Sequence, residues 1–315
     1  AATCATIGKM TLPELQRRGY PDSISIGSLA GAGTLGLLIP PSIIMIVYGV
    51  SADVSIAKLF MAGVLPGLLL AGLFSGYLGV WALLNPAQVP PADAPMTLRQ
   101  KLHESRHLIP VVLLIAAVLG SIYTGVATAT EAAGVGVAGA LVLSALQGSL
   151  SWATFKESLM GGTRLYCMIA LILAGASFLT LAMGYIGLPR HLAEWIGGLG
   201  LTPVALLAVL MVFYIVLGCF LDGISMVVLT MGVILPTVQK AGIDLIWFGI
   251  FIVLVVEMAQ ITPPVGFNLF VLQGMTGREI SWLAKVTLPF FLLMVGAVAL
   301  IWLFPGIVTA LPARM

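Results

Sequence analysis

Two proline pairs stand at equivalent places in the chain, Leu38-Ile39-Pro40-Pro41-Ser42 and Ile261-Thr262-Pro263-Pro264-Val265, at an offset of 223 (263−40). Each lies inside an apolar run. A proline within a helix has no N–H to bond the carbonyl four residues back, and its ring clashes with that carbonyl, so a pair frees several oxygens. In lipid such oxygens are costly unless something occupies them. A hard cation is the natural occupant, because it is held by oxygen ligands. Around the first pair, Gly31, Gly33 and Gly36 let backbone come close to a ligand, and Thr34 adds a hydroxyl. Around the second, Gln260, Thr262 and Asn268 are the polar groups. The chemistry these residues suit is ion binding rather than bond making.

Three acidic residues fall in or beside apolar segments, where charge is expensive and tends to be functional. Asp222, followed by Gly223 and Ser225, reads equally as the cap of a helix start and as part of an ion site. Glu257, one turn before Thr262, reads first as the partner of an interfacial lysine or arginine and second as a ligand. Glu131, after Thr128 and Thr130, reads as a carboxylate placed at a helix start.

Other chemistries find no support. Cys4, Cys167 and Cys219 are far apart in apolar segments without metal-ligand spacing, and read as buried packing residues. His103 and His107 lie in a basic polar stretch, and His191 stands beside Arg190. Ser42 has no accompanying His or Asp for nucleophilic catalysis. The glycine patches at 161–162 and 197–200 lack the lysine of a phosphate-binding loop. We expect no catalytic residues and no metal beyond a coupling ion.

The elements that must position these residues are membrane helices. Hydrophobic residues make up 60% of the chain and charged residues 8%, against about 25% charge in a soluble domain. Apolar runs near the roughly 20 residues a span requires recur at 23–50, 57–84, 108–126, 130–150, 165–186, 203–221, 245–260 and 286–304. The run from 203 to 235, interrupted at Asp222-Gly223, is either a re-entrant hairpin or two crossings. The net charge of +2 gives no reason to expect a nucleic-acid partner.

The offset of 223 holds without gaps for Leu12/Leu235, Pro13/Pro236, Gln16/Gln239, Gly19/Gly242 and Pro66/Pro289. Residues 1–84 therefore read as a first repeat, 85–107 as a polar cytoplasmic linker, 108–160 as connecting helices and 161–315 as a second repeat. The first repeat has no counterpart of 161–223, so it reads as truncated at its N-terminus. Five spans separate the Pro13 and Pro236 loops, and an odd number inverts one repeat relative to the other. Positive charge agrees. With the Pro13 loop inside, that side holds Lys9, Arg17, Arg18, Arg99, Lys101, Arg106, Lys156, Arg164, Arg278 and Lys285, and the outside holds Lys58, Arg190, Lys240 and Arg314. Inverted repeats with broken helices are an architecture of secondary transporters, which bind their ligands near the midplane. The expected fold is an all-helical polytopic bundle of two inverted repeats, each with a broken helix and a re-entrant hairpin, the first hairpin incomplete.

Three stretches carry a resemblance: Gly31-Ala-Gly-Thr-Leu-Gly-Leu-Leu-Ile-Pro-Pro-Ser42, Gly218-Cys-Phe-Leu-Asp-Gly223 and Glu257-Met-Ala-Gln-Ile-Thr-Pro-Pro-Val-Gly-Phe-Asn268. With Gly125-Val-Ala-Thr-Ala-Thr-Glu-Ala-Ala133, they resemble the large membrane subunit of tripartite ATP-independent periplasmic (TRAP) transporters. The resemblance implies a sodium-coupled importer of organic acid anions in the bacterial inner membrane. It implies a periplasmic binding protein and a small four-helix membrane subunit as partners, and no cofactor beyond sodium as coupling ion. It places ion ligands, mostly backbone carbonyls, at Gly36 in the first repeat and at Gly218, Ala259, Thr262 and Val265 in the second. Gly33, Thr34, Ser42, Asp222, Ser225 and Asn268 are weaker candidates for substrate or ion contact. Ala259 departs from the glycine frequent in the family, and the tip of the first hairpin would precede Ala1. The competing expectations are a stand-alone ion-coupled carrier and an inactive fragment.

Overall fold

The computed structural model describes residues 2–91 and 97–314. Pro95 of the polar stretch and the side chain of His107 lie outside the described residues. Among the described residues the regular structure is helical throughout. The chain forms two compact units, one of residues 1–90 with 174–315 and one of residues 91–173.

The first unit begins with α1 (Ala2–Arg17), α2 (Asp22–Ala32), the single turn α3 (Leu35–Leu38), α4 (Ile43–Ala52) and α5 (Ile56–Leu84). The second unit holds α6 (Leu98–Glu104), α7 (Ile109–Tyr123), α8 (Ala129–Leu146) and the beginning of α9 (Trp152–Tyr185). The first unit then resumes with α10 (Leu188–Gly198), α11 (Pro203–Gly218), α12 (Gly223–Lys240), α13 (Leu245–Gln260), α14 (Phe267–Thr276), α15 (Ile280–Leu303) and α16 (Gly306–Thr309).

Five of these helices are long and apolar enough to cross a bilayer, and six if the bent pair Asp22–Leu38 and Ile43–Ala52 is one span. The run 23–50 is therefore broken rather than continuous, with a 41° bend, because Pro40 and Pro41 cannot continue the ladder. Both Pro-Pro bonds are cis. Only 6% of the apolar window of α8, and likewise of α9, is buried, so these helices turn apolar side chains outward, as lipid requires. Glu131 lies in a capping box: Thr128 Oγ1 accepts from the Glu131 N–H at 3.3 Å while the Glu131 carboxylate accepts from the Thr128 N–H at 2.8 Å. Cys167, expected to be buried, is exposed on α9, whereas Cys4 and Cys219 are buried.

The core of the first unit is α13. Every residue from Trp247 to Gln260 is buried, and a helix apolar on all sides belongs at the centre of its unit. It packs against α4, α5, α11, α12 and α15. Two hydrogen bonds fix its first turns: Tyr48 Oη donates to the Leu245 carbonyl at 2.7 Å, and Trp247 Nε1 donates to the Ile301 carbonyl at 3.2 Å.

Elements at the offset of 223 have matching local structure. Pro13 and Pro236 lie inside α1 and α12, Pro66 and Pro289 inside α5 and α15, and Gly19 and Gly242 both have positive φ. Contacts are matched as well: α1 packs on α14 while α12 packs on α4, and α2 packs on α15 while α13 packs on α5.

Candidate functional site

The second proline pair ends α13. Pro263 and Pro264 would have bonded the carbonyls of Ala259 and Gln260, so the last turn tightens instead. The Ile261 N–H donates to Met258 O at 3.2 Å and the Thr262 N–H to Ala259 O at 3.2 Å. Thr262 Oγ1 donates to Met258 O at 2.7 Å, which leaves the lone pairs of that hydroxyl available to a ligand. Gly266, at φ 44°, starts α14. Thr262 and Val265 are half-buried, Pro263 and Pro264 exposed. The segment therefore offers a hydroxyl and carbonyl oxygens on a stretch of backbone outside any helix.

The hairpin of α11 and α12 brings its tip to this break. At Gly218 the approach is so close that a Cβ there would lie 2.3 Å from the Ala259 Cβ. Next in sequence, the single S–H of Cys219 is shared between the Pro263 carbonyl at 3.1 Å and Ile215 O at 3.3 Å. Asp222 caps α12 by accepting from the N–H groups of Ile224 at 3.0 Å and Ser225 at 3.2 Å. The Ser225 hydroxyl donates to the same carboxylate. The capping reading of Asp222 is thus the one with visible bonds, and Ser225 is turned onto Asp222. α11, with 16 residues, extends about 24 Å at 1.5 Å per residue, short of a bilayer core of about 30 Å.

The first break has the same parts in different chemistry. A Cβ on Gly36 would lie 2.6 Å from Thr3 Oγ1, and one on Gly33 would lie 2.6 Å from the Cys4 Cβ. The first turn of α1 therefore lies against the Gly33–Gly36 backbone. Thr34 is fully buried and its Oγ1 donates to Gly31 O at 2.8 Å. Ser42 closes the break after Pro40 and Pro41: its hydroxyl donates to the Leu37 carbonyl and accepts from the Met45 N–H at 3.3 Å, capping α4.

Two further polar residues are buried near the breaks. Asn268, on the first turn of α14, donates from Nδ2 to the Ala30 carbonyl at 3.4 Å, while its Oδ1 is buried without a partner. Glu257 is fully buried. The expected ion pair with an interfacial lysine or arginine does not form among the described residues, because those side chains lie at the ends of the helices and Glu257 lies inside α13. Neither oxygen of its carboxyl has a hydrogen-bond partner.

Of the residues singled out in the sequence, Gly218 approaches Ala259 at the second break, the Thr262 N–H bonds Ala259 O, Val265 lies three residues further along the chain, and Gly33, Thr34 and Gly36 lie before the first. Cys219 and Thr3 contribute at the two sites without a motif of their own. The signal for Cys219 was its place next to Gly218, and for Thr3 its place 223 residues before Met226. No group of three or more His, Cys, Asp or Glu with metal-binding geometry occurs among the described residues.

Long apolar helices, a wholly buried central helix and paired helix breaks define a polytopic helical membrane protein. Over residues 1–307 the chain matches the family described as the tripartite ATP-independent periplasmic transporter, DctM component, and it belongs to that family. It is similar to the C4-dicarboxylate TRAP transporter large permease protein DctM of Pseudomonas aeruginosa, 33% identical over 99% of this chain and 72% of that protein. The protein of the same description from Rhodobacter capsulatus is 31% identical over 99% of this chain and 73% of its own length. The ectoine/5-hydroxyectoine TRAP transporter large permease protein UehC of Ruegeria pomeroyi is 34% identical over 97% and 71% respectively. The chain is thus a transporter permease subunit and not an enzyme.

Proposed function

We propose that this permease subunit imports an organic acid anion across the bacterial inner membrane, driven by a sodium gradient. A periplasmic binding protein delivers the anion, and a small four-helix membrane subunit completes the complex. The observation that carries this reading is the seating of the Gly218–Cys219 tip on the Thr262–Val265 break, with Cys219 Sγ 3.1 Å from the Pro263 carbonyl. Two non-helical backbone segments meet inside a membrane protein there, and such segments are tolerated where they line a ligand site.

The donor set suits sodium. Backbone oxygens of Gly218, Ala259 and Val265 with the hydroxyl of Thr262 form one group of hard ligands, and the backbone around Gly36 beside Thr3 forms a second. Sodium bound there would supply the driving force for uphill uptake. The substrate carboxylate belongs at the N-terminal end of α14, where free N–H groups and the helix dipole favour an anion and Asn268 lies in the first turn.

The chain works as two inverted repeats, 1–84 and 161–315, separated by the linker 85–107 and the connecting helices 108–160. The reciprocal packing of α1 on α14 and α12 on α4 supports this, because a two-fold axis relating two repeats returns every contact in its exchanged form. Rocking or elevator-like movement then exposes the site alternately to each side. The dicarboxylate and ectoine named for the relatives make a C4-dicarboxylate the first anion to try and a zwitterion the second.

The test is uptake into proteoliposomes holding the subunit with its candidate small subunit and binding protein, with and without an inward sodium gradient. Uptake that needs both the gradient and the binding protein is expected. Uptake by this subunit alone would replace the tripartite reading with that of a stand-alone carrier.

A further inference from the structure

At one place the repeats differ sharply in side-chain bulk. In the second, Phe248 and Phe251 of α13 are buried with ring centroids 5.7 Å apart, and Trp302 of α15 is half-buried. At the offset of 223 the first repeat has Ser25, Ser28 and Gly79 (248−25, 251−28 and 302−79), in the register that pairs Pro66 with Pro289. The helices match while three large aromatics give way to two serines and a glycine. A cavity of about 360 Å³ lies there among α1, α2 and α5, lined by these three residues and by Leu15, Tyr20 and Trp81. Small-molecule sites have volumes of roughly 300–1,000 Å³.

One group in the lining is unanswered. Ser25 is 1% exposed and its hydroxyl has no hydrogen-bond partner, whereas the Ser28 hydroxyl donates to the Ser25 carbonyl at 2.9 Å. A buried hydroxyl left unpaired is costly. Water would answer the hydroxyl and leave the apolar walls unfilled. A molecule with an oxygen acceptor next to a hydrocarbon tail answers both.

The depth points to a lipid. Ser25 is in the first turn of α2 and Trp81 in the last turn of α5. With 29 residues, α5 extends about 43 Å, so its end passes beyond a hydrocarbon core of about 30 Å into the zone where Tyr and Trp side chains settle. Leu83, one turn on from Gly79 on the same face, is 82% exposed, and the cavity therefore borders the lipid-facing side of α5. Between Leu15 and Tyr20 stand Arg17 and Arg18, both paired with Glu14 at 2.8 and 2.7 Å, two positive charges to one negative.

We propose that this cavity takes the glycerol-ester region of one anionic phospholipid. An ester oxygen accepts from the Ser25 hydroxyl, and the start of an acyl chain fills the volume that Phe248 and Phe251 fill in the other repeat. The phosphate lies toward Arg17 and Arg18. The lipid thus packs against α2, the helix that leads to the first break, and does so from one leaflet only.

The test is native mass spectrometry of the purified full-length protein, delipidated and titrated with dioleoyl phosphatidylglycerol. Wild type is compared with Ser28→Phe and Gly79→Trp, which restore the residues of the second repeat. Wild type should hold one lipid more tightly than the rest. Each filled variant should bind that first lipid about tenfold more weakly with the weaker binding unchanged, and Ser25→Ala, which keeps the space and removes the donor, should weaken it several-fold. A Cβ at Gly79 meets no atom within 4 Å, so Gly79→Trp decides alone if Ser28→Phe does not fold. An unaltered first lipid in the filled variants, or no tightly held lipid in the wild type, would overturn the inference. Equal retention of dioleoyl phosphatidylethanolamine would overturn the choice of an anionic headgroup. Lipid retention is read without transport, so either result is separate from that of the uptake assay.

Discussion

The Cys219 thiol donates to the carbonyl of Pro263 across a gap of 44 residues in sequence, at 3.1 Å. The bond fastens the tip of the α11–α12 hairpin to the break that ends α13, and it engages a carbonyl within the segment where the helical ladder is interrupted. Cys219→Ala should loosen the tip, at a cost of about 1 kcal/mol, and raise the sodium concentration for half-maximal uptake several-fold. Cys219→Ser retains a donor and should lie between. The sodium titration of uptake, read beside thermal unfolding in detergent, checks both variants.

Gly218 should not accept a side chain while Ala259 faces it. A Cβ at Gly218 would sit 2.3 Å from the Ala259 Cβ, well inside van der Waals contact, and overpacking of this kind costs about 1–3 kcal/mol. Gly218→Ala should lower the unfolding midpoint. Gly218→Ala with Ala259→Gly exchanges the methyl between the two helices and should recover most of the loss. A double variant as unstable as the single one would mean that the tip does not seat on α13 as described.

Asp222 offers a way to separate a cap from an ion ligand. Its carboxylate accepts from two backbone N–H groups at the start of α12, and loss of such a cap costs about 1 kcal/mol. Asp222→Ala should destabilise, whereas Asp222→Asn keeps the acceptor and should restore stability and sodium dependence together. Restored stability with a still-impaired sodium dependence would assign the charge to ion binding.

Thr262 presents its lone pairs into the second break while donating to Met258 O at 2.7 Å. Thr262→Ala should raise the sodium concentration for half-maximal uptake, with Thr262→Ser close to wild type. An unchanged sodium dependence in the alanine variant would remove Thr262 from the ion site.

Part of this protein was decided locally, and the sequence alone determined that part. A proline lacks its N–H whatever surrounds it, so Pro40-Pro41 and Pro263-Pro264 had to break their helices. A residue composition with so little charge had to face lipid. The internal match of Pro13 with Pro236 and Pro66 with Pro289 needed only the offset to be counted. Tertiary structure decided which groups meet. Gly218 touches Ala259, Cys219 binds Pro263, and Asn268 reaches the Ala30 carbonyl because helices distant in sequence pack at one register, and spacing along a chain carries no record of that register. The fate of Glu257 shows the reason most plainly. Its position one turn before Thr262 suggested reach to an interfacial cation, but reach depends on depth, and depth follows from the packing of α13 against α4, α5, α11, α12 and α15, which leaves the Glu257 side chain fully enclosed.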